Sequence, residues 1–246
     1  MVLVGDRTIA RRDFLRVLAG IGLGLMGMSM IVCRGREQKV PPKKGDMIAL
    51  PPPKLDGETS VEKAIRGRRS ERDFQNRPLS LAHLSQILWA AQGITDEGGE
   101  LRAAPSAGAQ YPLDVYTVIG QGGAEGLEAG VYSYHPHEHS LRLRSEGDFR
   151  EDLTTACLGQ RYMAEAPLSL IITAEYDRIR DRYGERGIRY AHIEMGHVGE
   201  NIYLQAEALG MGTVMVGAFY DDEVAKALSL PPNHEPLGVM PIGYPR

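Results

Sequence analysis

The stretch that decides the fold runs from Ala104 to Tyr116 and reads A-P-S-A-G-A-Q-Y-P-L-D-V-Y. Its first half, with Pro105, Ser106, Ala107, Gly108 and then Pro112, suits a tight, irregular backbone. From Leu113 to Ile119 the residues turn β-branched and aromatic, so the loop feeds directly into a strand. A small-residue loop that ends in a rigid strand can bring its backbone N–H groups close to a flat ligand, because no side chain blocks the approach. A plain surface turn has the same composition, so the loop needs a companion. It has one in Gly67-Arg68-Arg69-Ser70-Glu71-Arg72, where three arginines and a serine follow a predicted helix. Arginine forks grip phosphate oxygens bidentately and Ser70 adds a neutral donor. The two stretches together describe a site with an anionic end and a planar body.

Around them the chain of 246 residues is 43% hydrophobic and 24% charged, enough for one good core. A net charge of −4 and a pI near 6.0 give no nucleic-acid footprint. Cys33 and Cys157 lie too far apart for metal-ligand spacing, and two cysteines make no disulfide scaffold.

The N-terminus concerns address. Arg11-Arg12-Asp13-Phe14-Leu15 is a paired-arginine motif followed by the apolar run Val17 to Val32. The run holds about 16 residues against the ~20 needed to span a bilayer, and four glycines weaken it as a helix. Residues 1–33 therefore read as a twin-arginine-type export signal, placing the protein in the periplasm or otherwise outside the cytoplasm, tethered to the membrane if the signal is not cleaved. Gly22-x-Gly24-x-x-Gly27 matches the dinucleotide fingerprint in letters only, since it follows no strand and lies inside that signal. Residues 34–58, rich in lysine and proline, read as an extended linker, so the folded domain is expected to begin near Thr59.

Within the domain, Ser60 caps a helix at 61–67 and Ser80 caps a second with Leu81, Leu84, Ile87, Leu88 and Ala91 at helical spacing. Strands are expected at 113–119, 130–134, 140–144, 167–174, 213–218 and 237–242, and helices at 147–158, 188–209 and 222–229, the last capped by Asp221. Helices and strands mix without regular alternation, which predicts an α+β fold with one sheet flanked by helices.

Three motifs invite other chemistry. His135, His137 and His139 beside Pro136 read as exposed hairpin-turn histidines, with no converging ligands for a metal. Glu194-Met195-Gly196-His197 has the spacing of a di-iron half-site, but two copies are required and one is present. Ser106 lacks the Gly-x-Ser-x-Gly elbow of a hydrolase, because position 104 is Ala104. No metal is expected.

R-R-S-E-R (68–72), the 105–116 loop and strand, G-V-Y-S-Y-H-P (130–136), G-H-V-G-E-N-I-Y-L-Q-A-E-A-L-G-M-G-T (196–213), V-G-A-F-Y-D-D-E (216–223) and P-I-G-Y-P (241–245) occur in an order that resembles the nitroreductase-like flavoproteins. The P-S-A-G form is similar to the subgroup with the thiazoline and oxazoline dehydrogenases of streptolysin-type peptide maturation. The resemblance implies one central mixed or antiparallel sheet and an FMN-binding homodimer, with the flavin at the subunit interface and the long helix in it. Carried over, Arg68, Arg69, Ser70 and Arg72 hold the FMN phosphate and ribityl end. Pro105, Ser106, Ala107, Gly108 and Gln110 come from the partner subunit, and Val216, Gly217 and Ala218 pass near the isoalloxazine ring. The Lys-Tyr pair of azoline-dehydrogenating relatives is missing, which leaves Tyr111 as the candidate for proton transfer. The function implied is an exported oxidoreductase that moves a hydride between flavin and a small organic substrate; the alternative is a non-catalytic flavin-binding module of the same fold. Outside the cytoplasm NAD(P)H is scarce, so a quinol or a redox protein is the expected electron partner.

Overall fold

Two serines start the first helices as their spacing predicts. Ser60 Oγ accepts the Lys63 N–H at 3.2 Å and begins α1 (Val61–Gly67), and Ser80 Oγ accepts the His83 N–H at 3.2 Å and begins α2 (Leu81–Gln92). Each bond satisfies a donor that a helix leaves unpaired in its first turn, worth ~1 kcal/mol. The computed structural model describes residues 43–246. The paired arginines, the apolar run and Cys33, and with them the expected export signal, lie outside the described residues. Among the described residues no helix is long and apolar enough to cross a membrane.

The strands are β1 (Met47–Ala49), β2 (Leu113–Ile119), β3 (Gly130–His135), β4 (Ser140–Glu146), β5 (Leu168–Ala174), β6 (Gly212–Thr213) and β7 (Glu235–Gly243). They form one sheet in the order β1-β4-β3-β2-β5-β7-β6, with every neighbouring pair antiparallel. Side chains alternate between the two faces with the period of a strand. Leu113 and Val115 of β2, with Leu170 and Ile172 of β5, face α2 and the long helix α6 (Arg186–Ala208). Tyr116, Val118 and Ile171 face α3 (Arg150–Ala156), α4 (Tyr162–Glu165) and α7 (Asp221–Ala227). The fold is α+β, with the strand expected at 113–119 recovered in full.

Four local expectations are corrected. The described part of the 34–58 linker is folded, and the domain does not begin at Thr59. Met47–Ala49 pair with Ser140–Arg142, Leu50 is buried, and the Pro51 carbonyl accepts the Ser85 hydroxyl at 2.5 Å. A strand next to prolines can pair only at a sheet edge, where β1 sits, and a window averaged over many prolines hides it. The strand expected over 213–218 stops at Thr213, because the Met215 N–H donates to Tyr203 OH at 2.7 Å instead of to a strand; Val216 alone bridges Val239. Asp221 is the first residue of α7 and makes no cap bond. His139 turns inward at φ +42°, with Nε2 2.7 Å from Ser85 Oγ and Nδ1 2.9 Å from Tyr134 OH, so it is a tether between hairpin and α2 and not an exposed turn residue.

Candidate functional site

The arginine cluster forms where α1 ends. The Arg68 N–H closes the helix onto the Ala64 carbonyl at 2.9 Å, and its guanidinium lies 5.2 Å from the ring centre of Tyr203 on α6. Arg69 Nη1 donates to the carbonyls of Arg66 and Arg68 at 3.0 and 2.8 Å, where a helix end leaves acceptors free. Ser70 bridges to Thr213 beside β6, with Oγ 3.3 Å from Tyr203 OH. Arg72 stands over Tyr162 at 5.9 Å. Among the described residues none of these three guanidinium groups has a carboxylate within ion-pair distance, whereas Arg150, Arg178, Arg180 and Arg246 all do. Tyr203 joins the cluster to the next segment, because its hydroxyl also takes the Met215 N–H. Gly217 and Ala218 beyond it are exposed, and a Cβ added at Gly217 would meet nothing within 4 Å. Free cationic forks beside an uncrowded backbone suit a ligand with a phosphate and a flat body.

The small-residue loop is strained and tightly held. Gly108, Ala109 and Tyr111 all have positive φ, at 59°, 53° and 45°. A Cβ at Gly108 would sit 2.5 Å from Tyr183 OH and 3.0 Å from Arg182 Nη1, so those side-chain ends would have to shift, and the φ of 59° itself favours glycine. At Ala109 and Tyr111 the left-handed backbone costs roughly 1 kcal/mol each and must be fixed from outside. Ser106 Oγ accepts the Tyr111 N–H at 2.9 Å, and Gln110 Nε2 donates to the Gly108 carbonyl at 2.8 Å. The Tyr111 hydroxyl accepts the Arg102 N–H at 3.1 Å while the Arg102 guanidinium lies 4.6 Å from its ring centre. Tyr111 is thus an anchor of the loop, with its hydroxyl turned toward Arg102.

Pro105, Ser106 and Ala107 wall a cavity of about 280 Å³ with Tyr190, Ile193, Glu194 and His197 of α6. Glu194 lies in the core-facing stripe of α6 with Ala191, Met195 and Val198, is 1% exposed, and has no hydrogen-bond partner on Oε2. Burial pushes its carboxyl up to about 7, against the pull of the nearby Ser106 hydroxyl, Gln92 and Arg102. His197 is exposed, 3.4 Å from the Pro105 carbonyl, and lines the same cavity as Glu194 without a hydrogen bond to it among the described residues. From the sequence, Glu194 is singled out only for its Glu-x-x-His spacing; the signal that could have found it is a carboxylate on a helix's apolar stripe.

The structure therefore places the predicted residues in two groups along α6. Arg68 and Ser70 meet Tyr203, which also fixes the start of the 215–218 segment; the Pro105–Tyr111 loop meets α6 at Tyr190 to His197. Glu194 and Tyr203 are about 14 Å apart along the axis at ~1.5 Å per residue. Among the described residues no hydrogen bond or ion pair joins the two groups.

A second charged cluster has no counterpart in the sequence reading. Arg178 of α5 (Asp177–Tyr183) bonds Asp114 Oδ2 at 2.7 Å and Glu175 Oε2 at 2.5 Å, and His234 Nδ1 is 3.7 Å from Asp114. Asp114, Glu175 and His234 lie close enough to share a cation, and the guanidinium supplies it.

The chain belongs to the Nitroreductase family, whose profile matches residues 65–244. It is 44% identical over 199 residues to MJ1384 of Methanocaldococcus jannaschii, named as a candidate nitroreductase, covering 81% of this chain and 98% of that one. The microcin B17-processing protein McbC of Escherichia coli is 26% identical over 155 residues, covering 62% of this chain and 57% of that one. A nitroreductase-type crystal structure from Ralstonia eutropha superposes with a TM-score of 0.70 at 30% identity, covering 81% of this chain and 90% of that one. The E. coli McbBCD synthetase complex with truncated pro-MccB17 shares the fold, at a TM-score of 0.64 and 20% identity over 99% of this chain and 85% of that one.

Proposed function

We propose that this protein is an FMN-dependent oxidoreductase that works as a homodimer on a small organic substrate and is exported through the twin-arginine route. The observation that carries the reading is the set of three guanidinium groups without carboxylate partners among the described residues at the end of α1, beside the open backbone of 217–218. Arg68, Arg69, Ser70 and Arg72 would hold the phosphate and ribityl end, and Val216, Gly217 and Ala218 the ring. The separation of the two groups along α6 favours a site completed by Pro105, Ser106, Ala107, Gly108 and Gln110 of a second subunit. An isologous pair supplies that loop twice, once to each site. When bound, the flavin supplies the hydride chemistry. The chain's own share is to bind the phosphate, to present backbone N–H groups on uncrowded segments and to exclude water. Export of a folded, loaded protein places its work outside the cytoplasm, where a quinol or a redox protein suits it better as electron partner than NAD(P)H.

Purified full-length protein tests the reading. It is expected to be yellow, dimeric in solution, and to release FMN on denaturation. A colourless protein that takes up no FMN on incubation overturns it. A loaded protein whose flavin no substrate reduces leaves only a flavin-binding module.

A further inference from the structure

Glu194 and four polar groups beside it form a nearly closed ring that no expectation from the sequence included. Arg102 Nη1 donates to Gln92 Oε1 at 3.1 Å, and Gln92 Nε2 donates to Glu194 Oε1 at 3.4 Å. Ser106 and Glu194 line the same cavity, with no hydrogen bond between them among the described residues. Ser106 Oγ takes the Tyr111 N–H at 2.9 Å, and Tyr111 OH takes the Arg102 N–H at 3.1 Å, which brings the chain of bonds back to the cavity wall that Ser106 shares with Glu194. The ring ties the end of α2, the middle of α6 and the strained loop together, and it surrounds one carboxyl whose second oxygen is buried and unpartnered.

We infer that Glu194 is the positioning residue of the Ser106–Tyr111 loop, acting through Gln92 and Arg102 on Tyr111 and across the cavity it shares with Ser106, and that its proton sets how firmly the loop is closed. The significance for function rests on the reading that this loop meets the flavin. Glu194 sits at the wall of a cavity it shares with the loop, so loosening of 105–107 is the motion that would let water reach Oε2. A carboxyl that holds its proton to about pH 7 when buried, against an ordinary 4.5, binds that proton in the closed loop and loses it in the open one. Closure is therefore favoured at low pH, and opening grows as pH rises from about 5 to 7, by at most about tenfold per pH unit for one proton. Above that window both forms are ionised and the dependence levels off. The charged groups that bear on Glu194 are few. Arg102 faces it from the 102–111 segment and Asp114 and Arg178 act on Arg102 in turn, while Tyr190 and His197 share the cavity wall.

The test is hydrogen exchange at the Ser106–Tyr111 amides of the full chain, with and without FMN, corrected for the intrinsic pH dependence of exchange. Wild type should lose protection by up to tenfold per pH unit between about pH 5 and 7 and then level off. Glu194→Gln, which keeps shape and removes the titration, should be flat with pH. Ser106→Ala should exchange fast at every pH, having lost the acceptor for Tyr111 N–H. A flat wild-type profile, an unchanged slope in Glu194→Gln, or wild-type protection in Ser106→Ala at pH 5 would each overturn the inference. Because the measurement without FMN needs no flavin, failure of FMN to bind would remove the functional reading and leave this result standing.

Discussion

Two arginine clusters in this molecule have opposite fates. Arg178 is clasped by Asp114 and Glu175, with His234 against Tyr116 closing the set. Burial alone would lower the Arg178 pKa, but its bonds to the two carboxylates outweigh that and raise it. Arg68, Arg69 and Arg72 sit half-exposed or exposed, touching carbonyls and aromatic rings, with no carboxylate in reach among the described residues. The same residue type is structural where its charge is spent inside the chain and available for a ligand where it is not. Counting arginines does not separate the cases; finding their partners does.

The comparison extends to Glu194, the opposite extreme: buried yet poorly satisfied. Its folded pKa of about 7 lies above the ordinary 4.5, so the folded chain keeps a proton that the unfolded chain gives up. The associated stability is full below pH 4.5 and is lost as pH rises to 7, by about 3 kcal/mol at most. Glu194→Gln should therefore gain over wild type as pH rises, in denaturant titrations at pH 5 and 8. An equal difference at both pH values would show that the carboxyl is not the origin.

Removing the spent arginine should cost somewhat less. Arg178→Ala strands two carboxylates, but all three side chains are between 23% and 34% exposed, so water takes up part of the loss. We expect about 2 kcal/mol of destabilisation in urea, with the flavin preference of the refolded protein unchanged. A loss of FMN without a loss of stability would erase the distinction between the clusters.

Arg72→Ala should do the reverse, leaving stability within about 0.5 kcal/mol of wild type, because its cation takes part in no ion pair among the described residues. A drop of 2 kcal/mol in its melting analysis would place Arg72 with Arg178. Smallest of all should be Arg142→Ala on β4, whose guanidinium reaches only the exposed Met47 sulfur at 3.1 Å. Neither stability nor flavin content should change measurably there.

The sequence made legible whatever depends on neighbours in the chain. Ser60 and Ser80 announce α1 and α2, and the apolar run at 168–174 announces a buried strand because nothing polar interrupts it. The arginine cluster and the Ala104–Tyr116 loop were legible for the same reason, each being one short segment. What escaped depends on distant partners. β1 exists only because β4 offers an edge to Met47–Ala49, and α5, rich in charge, exists on a segment whose Arg178 is paired 64 positions away. The ring around Glu194 draws on α2, α6 and the loop at once. A carboxylate on an apolar stripe is the signal in the sequence that could have found Glu194.

The most direct test of the central claim is a binding cycle with two ligands, FMN and riboflavin, which differ by the phosphate alone. Wild type should bind FMN at least tenfold more tightly than riboflavin. In Arg72→Ala and Arg69→Ala that preference should shrink by about tenfold or more, the worth of roughly 1.5–3 kcal/mol of charged hydrogen bonding, while riboflavin affinity stays unchanged. If wild type and both variants show the same FMN-to-riboflavin ratio, the phosphate does not lie on these arginines and the account is wrong.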